Sequence, residues 1–194
     1  MKFKTLLIAL GAMVLTACMQ SANNPATELS LEAPAWSLQS ANGETVHFPG
    51  DAGGRPVMLL FWATWCPYCK ALMPHLQSIL DEFPDAGLLV YAISFMDDGD
   101  PAAVIGKQGF DFTVLVNGEA VAEDYGINST PAVLLVDSQG FIRFDLREIQ
   151  ARQGMQAISA KDMSHSLKAA RKAPYFAAAI RRGVDQLLAE TSSP

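Results

Sequence analysis

One short stretch constrains this chain more than any other: Trp62-Ala63-Thr64-Trp65-Cys66-Pro67-Tyr68-Cys69-Lys70. The apolar run over residues 57–61, Val-Met-Leu-Leu-Phe, leads into it and reads as a buried strand. Beyond it Leu72, Leu76, Ile79, Leu80 and Phe83 recur at helical spacing. The two cysteines therefore sit where a strand hands over to a helix. Cys66 falls at the helix N-terminus, where unpaired backbone N–H groups and the helix dipole favour a thiolate. Pro67 suits the first turn, where its missing N–H costs nothing. Cys69 follows within a turn, near enough to close a reducible disulfide with Cys66. One thiolate is placed to attack and a second thiol to resolve.

Length and composition set the frame for that device. With 194 residues, half of them hydrophobic, the chain forms one domain with a core that needs no covalent staples. Three cysteines are too few for a disulfide scaffold. The first belongs to the N-terminus. Residues 1–17 read as an export signal, with Lys2 and Lys4 as its positive end and a short apolar core from Leu6 to Leu15. That core is too short to span a membrane. It ends Leu15-Thr16-Ala17-Cys18, which resembles a bacterial lipobox, so Cys18 is the expected lipidation site and membrane anchor. Met19 and Gln20 are not the Asp that favours inner-membrane retention in enterobacterial lipoproteins, which points to the outer membrane.

Charge is unevenly spread. Residues 18–142 hold 3 basic and 15 acidic groups; residues 143–182 hold 9 basic and 3 acidic. Two solvated helices against an acidic domain explain this most simply; a surface for an acidic partner or anionic lipid is the sharper alternative. An acidic chain without a basic-aromatic stripe argues against nucleic acid.

Taken in order, residues 18–33 read as a flexible tether. Asn42-Gly43, between residues 36–38 and 45–48, signals a β-hairpin. Pro74 lies inside the cysteine helix and should kink it. Residues 88–93 form the next buried strand. Asp100 caps a short helix that opens with Pro101 and runs to about Gln108. A strand near residues 112–116, a helical turn over 119–125 and strands over 132–136 and 141–144 complete the domain at residue 145. Strands alternating with helices predict an α/β fold with a mixed central sheet and a parallel core. Residues 146–194 form a C-terminal helical extension, with one helix expected around 161–171 and another opened by Pro174-Tyr175-Phe176.

At this point the chain resembles a thioredoxin-fold protein, and more narrowly the membrane-tethered, periplasm-facing TlpA/ResA-like branch. The likeness covers about residues 34–145. It rests on Phe61-Trp62-Ala63-Thr64-Trp65-Cys66-x-x-Cys69-Lys70, on Pro74 five residues after Cys69, and on Thr130-Pro131 before a strand. The spacing from Cys66 to Pro131 exceeds that of a minimal thioredoxin by about one βα unit, an insertion typical of this branch. The resemblance implies a thiol:disulfide oxidoreductase without a cofactor. Cys66 would be the nucleophile and Cys69 the resolving thiol. Pro131 would be a cis-proline against the disulfide. Thr130 would offer its backbone to a substrate chain pairing like an added strand. Trp65, Pro67 and Tyr68 would flank the site. The implied partners are protein thiol/disulfide clients and an upstream redox partner.

Two departures from the pattern bear on the direction of the reaction. Thioredoxin carries a buried Asp on the central strand, where this chain has Leu60. ResA-like reductases place a Glu three residues after the second cysteine, where this chain has Leu72. Either acid would help move the resolving thiol's proton. The Cys-Pro-Tyr-Cys-Lys-Ala stretch is itself similar to glutaredoxins, although the export signal and Trp65 argue against a cytosolic enzyme. A periplasmic reductase is the expectation; an oxidase or isomerase is the alternative. A different class is a copper-handling lipoprotein using Cys66, Cys69, Met73 and His75. An exposed helix histidine explains His75 more simply, and no metal is expected. His47 and His165 carry no signal. Asp97, Asp98 and Asp100 lack the ligand spacing of a calcium loop and read as a solvated capping loop.

Overall fold

The computed structural model describes residues 31–152 and 163–191. The expected signal, Cys18, most of the tether and the first residues of the helix expected around 161–171 lie outside the described residues. Eight strands form one sheet: β1 (Leu31–Glu32), β2 (Trp36–Ser40), β3 (Thr45–Phe48), β4 (Val57–Trp62), β5 (Leu89–Ser94), β6 (Thr113–Val116), β7 (Ala132–Val136) and β8 (Phe141–Asp145). The helices are α1 (Pro67–Glu82), α2 (Pro101–Gln108), α3 (Glu119–Asp124), α4 (Leu146–Arg152) and α5 (His165–Thr191). The strand order is β1-β8-β7-β4-β5-β6-β2-β3. β4, β5 and β6 run parallel, and the strands on either side of them are antiparallel to their neighbours. The expected mixed sheet with a parallel centre is the sheet observed.

β4 is central and buried along its whole length. Its side chains alternate between two cores, as the two-residue period requires. Met58, Leu60 and Trp62 join Cys66, Cys69 and the inner faces of α1 and α5. Val57, Leu59 and Phe61 join Trp36, Phe48 and Tyr125 on the other side. A strand covered on both faces must be apolar at every position, which is why the run before the cysteines lacks alternation.

The hairpin β2–β3 forms as expected, but its turn is longer than an Asn-Gly pair alone predicts. Gly43 N–H donates to Ser40 O at 2.9 Å, which makes Asn42 the third turn residue, and Gly43 takes a positive φ of 89°. Only glycine adopts that conformation without strain. The end of the tether is also more ordered than its composition suggests. Leu31 and Glu32 pair with Ile142 and Phe141, and Ala33 N–H reaches Gly140 O at 2.9 Å. The Tyr125 hydroxyl holds Pro34 O at 2.7 Å.

The C-terminal extension departs furthest from expectation. Pro174 does not open a helix; it lies inside the 27-residue α5, which starts at His165 rather than near 161. Ala169, Ala173, Phe176, Ala177, Ile180, Val184 and Leu187 form one buried stripe along this helix. Five of its members, from Phe176 to Leu187, pack into the same core as the cysteines. Pro174 and Ala170, whose carbonyl cannot receive an N–H from the proline, are on the exposed side, where the carbonyl is open to solvent. α1 uses the same arrangement, continuing through Pro74 with Pro74 and Lys70 both exposed.

Candidate active site

The junction after β4 builds the site. Cys66 is the N-cap of α1, in extended conformation, and Pro67 takes the first helical position. Cys66 and Cys69 form a disulfide with Cα atoms 5.4 Å apart. The Cys69 N–H donates to Cys66 Sγ at 3.1 Å. One of the orphan donors of the helix terminus is thus aimed at the sulfur that would carry negative charge after reduction. Both cysteines are buried, 2% and 0% exposed, so a partner can meet Cys66 only by seating closely on this end of the molecule.

The expected flanking residues gather here. The Thr130–Pro131 peptide is cis. Pro131 lines a groove with Tyr68, the residue between the cysteines, and with Thr130. No partner among the described residues engages the Thr130 backbone, so its hydrogen-bonding groups are open to an incoming strand. Trp65 is 56% exposed, its indole N–H anchored to Met96 O at 2.9 Å. Trp62, by contrast, is core. Leu60 and Leu72 are fully buried in the same core as Cys69, so apolar side chains occupy both positions where the resemblance places an acid.

Of the four residues named for the copper alternative, Cys66 and Cys69 are joined in the disulfide. Met73 is buried one helical turn below Cys69. His75, six residues after Cys69, is turned about 120° around the helix from it. Among the described residues no group of three or more His, Cys, Asp or Glu side chains is placed to hold a metal.

One important residue was not legible as such. Asp97, expected in a solvated capping loop, ties that loop to the cysteine motif. Its carboxylate accepts the Thr64 N–H at 2.7 Å, the Thr64 hydroxyl, the Ser94 hydroxyl at 2.8 Å and the Gly99 N–H at 3.1 Å. Burial alone would raise its pKa; the four hydrogen bonds outweigh burial and hold the carboxyl below the ordinary Asp value. Gly99 allows the close approach, since a Cβ there would lie 2.1 Å from Thr64 Oγ1. The capping role belongs to Asp100, which accepts the Ala103 N–H at 2.9 Å.

Asp97→Ala is expected to cost about 1–3 kcal/mol of stability, the usual loss for a charge-assisted network. It should also free the Met96 carbonyl segment that holds Trp65, which the tryptophan emission would report. Because the folded carboxyl titrates below the unfolded one, its stabilising contribution is present above about pH 4 and lost as pH falls through the folded value. Urea midpoints across the acid range should therefore fall less steeply in Asp97→Asn than in the unsubstituted protein.

Fold and junction together define the class: a thioredoxin-fold, TlpA/ResA-like thiol:disulfide oxidoreductase. The chain belongs to the AhpC/TSA family, whose model matches residues 29–145. It is similar to the thioredoxin-like protein YneN of Bacillus subtilis, at 31% identity over 116 residues, covering 58% of this chain and 67% of that one. It is also similar to the thiol:disulfide interchange protein DsbE of Pseudomonas aeruginosa, at 26% identity over 154 residues, covering 74% and 83%. Among solved structures, the thioredoxin domain of the thiol-disulfide oxidoreductase BVU-2223 from Bacteroides vulgatus superposes with a TM-score of 0.55 and 25% identity, covering 60% of this chain and 86% of that one. The chain spans about two thirds of the length of the first curated relatives it matches.

Proposed function

We propose that this protein is a lipid-anchored, periplasm-facing reductase of protein disulfides, anchored through Cys18, with Cys66 as nucleophile and Cys69 as resolving thiol. The observation that carries the assignment of roles is the Cys69 N–H on Cys66 Sγ at the helix N-terminus, beside a cis-proline whose preceding backbone has no hydrogen-bond partner among the described residues. The Cys66 thiolate attacks one sulfur of a client disulfide; the client S–S bond breaks, and the departing client sulfur leaves as a thiolate and takes up a proton. The client is then joined to Cys66. Deprotonated Cys69 attacks Cys66 Sγ, the mixed disulfide breaks, and the client leaves as a dithiol. The enzyme's dithiol has become the Cys66–Cys69 disulfide, and an upstream thiol donor must return two electrons and two protons.

Thr130 pairs with the client backbone, while Trp65, Pro67, Tyr68 and Pro131 shape the walls around it. The kinship to DsbE supports an envelope setting. The lipobox-like Leu15-Thr16-Ala17-Cys18 supports the anchor.

The apolar setting of Leu60 and Leu72 favours attention to the opposite direction, because no carboxylate at those positions takes the Cys69 proton. The reduction potential decides between the two. Equilibration with a defined thiol buffer is expected to give a value near about −270 mV, the range of reducing thioredoxins. A value of about −120 to −180 mV, where strong oxidants and isomerases lie, would overturn the reductive direction.

A further inference from the structure

The groove beside the disulfide is completed by residues beyond the family-matched stretch. It encloses about 210 Å³ and is lined by Tyr68, Thr130, Pro131, Gln150, Lys172 and Phe176. The last three come from α4 and α5, C-terminal to residue 145. The Lys172 ammonium lies 5.8 Å from the centre of the Tyr68 ring, and His165, two helical turns earlier on the same face, meets that ring edge-on at 6.5 Å. Among the described residues no carboxylate pairs with Lys172, and it is the one charged side chain lining this groove. A second groove, which includes the Met96 whose carbonyl holds Trp65, is lined by Ile127, Glu119 and Glu123, so its charged side chains are acidic.

A client strand paired at Thr130 projects side chains towards α5 next to its reacting cysteine. They would meet Phe176, the Gln150 amide and an ammonium that has no carboxylate partner among the described residues. We propose that Lys172 is a specificity residue that selects client segments carrying Asp or Glu beside the reacting cysteine. The inference rests on client exchange at Cys66, but not on the direction of the overall reaction. Charge complementarity of this kind discriminates between partners more than it adds raw affinity.

The test uses the full chain with Cys69→Ser, reduced, so that only the first exchange occurs. Three peptides differ in a single residue beside the cysteine, Glu, Gln or Lys, and each carries its cysteine as a disulfide with thionitrobenzoate. Attack by Cys66 forms the Cys66–peptide bond, breaks the peptide–thionitrobenzoate bond and releases coloured thionitrobenzoate. Each rate is divided by that of the same peptide with 2-mercaptoethanol, which removes the peptide's own reactivity. The Glu peptide is expected to react about three- to tenfold faster than the Lys peptide, the scale of a partly exposed charge pair. Salt should narrow the ratio. Lys172→Gln should bring it towards unity and Lys172→Glu should invert it. Equal rates in the Lys172 protein, or a ratio unmoved by Lys172→Glu in a variant with native circular dichroism, would overturn the proposal while leaving exchange at Cys66 intact. No release from any peptide would remove exchange at Cys66, and this proposal with it.

Discussion

Cys66→Ser is expected to abolish disulfide exchange, down to the rate of the buffer alone, while Cys69→Ser keeps the first step and stalls as a stable mixed disulfide. The asymmetry follows from the helix terminus. Cys66 Sγ receives the Cys69 N–H, and the peptide dipoles of α1 point their positive end at it. Cys69 lies inside the first turn, fully buried among apolar neighbours. Once the disulfide is reduced, the helix terminus is therefore expected to favour an anion on the first sulfur over the second. Intact-mass analysis after mixing with a disulfide substrate checks this directly. Cys69→Ser should appear as a covalent adduct, lost on adding a strong reductant. An adduct on Cys66→Ser through Cys69 instead would reverse the assignment of nucleophile and resolving thiol.

The second large effect is expected outside the cysteine motif, along α5. Ile180 is fully buried against the core that contains Leu60 and Cys69. Truncating it to Ala should cost about 2–5 kcal/mol, because transfer free energy is lost and a cavity remains. Gly183 lets the helix lie close to the sheet: a Cβ there would come within 2.9 Å of Leu135 Cδ1 and of Phe144 Cδ2. Both atoms belong to packed side chains, so Gly183→Val should push the helix off the sheet and cost about 1–3 kcal/mol. Urea unfolding of each variant tests the point. Losses below about 0.5 kcal/mol, typical of surface changes, would mean that α5 contributes little to the fold.

The contrast between α5 and β4 shows which parts of the molecule could be read from the chain. β4, the N-cap at Cys66 and the helix after it were legible because each depends on neighbours within a few residues. The hairpin was legible for the same reason. Pro174 was misread because local chemistry places a proline at a helix start, whereas burial of a stripe from Ala169 to Leu187 against α1 and the sheet keeps the helix continuous. Asp97 was misread because its main partner, Thr64, is 33 residues away and nothing in the acidic loop reveals which carboxylate turns inward. Likewise Lys172 and Tyr68 meet only through the packing of α5 on α1. Local grammar therefore yields the reactive pair, and the shape of its surroundings depends on long-range packing.

The pairing of β1 with β8 gives the molecule a heading. Leu31 lies beside Ile142, which lies beside Val136 at the finish of β7, and Val136 lies beside Val57 at the beginning of β4. Cys66 follows the other end of β4, and six strand residues separate the two poles by about 20 Å. The chain therefore enters the fold at the pole opposite its disulfide. Held from that pole, as a moored buoy is held from its keel, the protein would turn the reactive end away from the surface beneath it and towards whatever diffuses past.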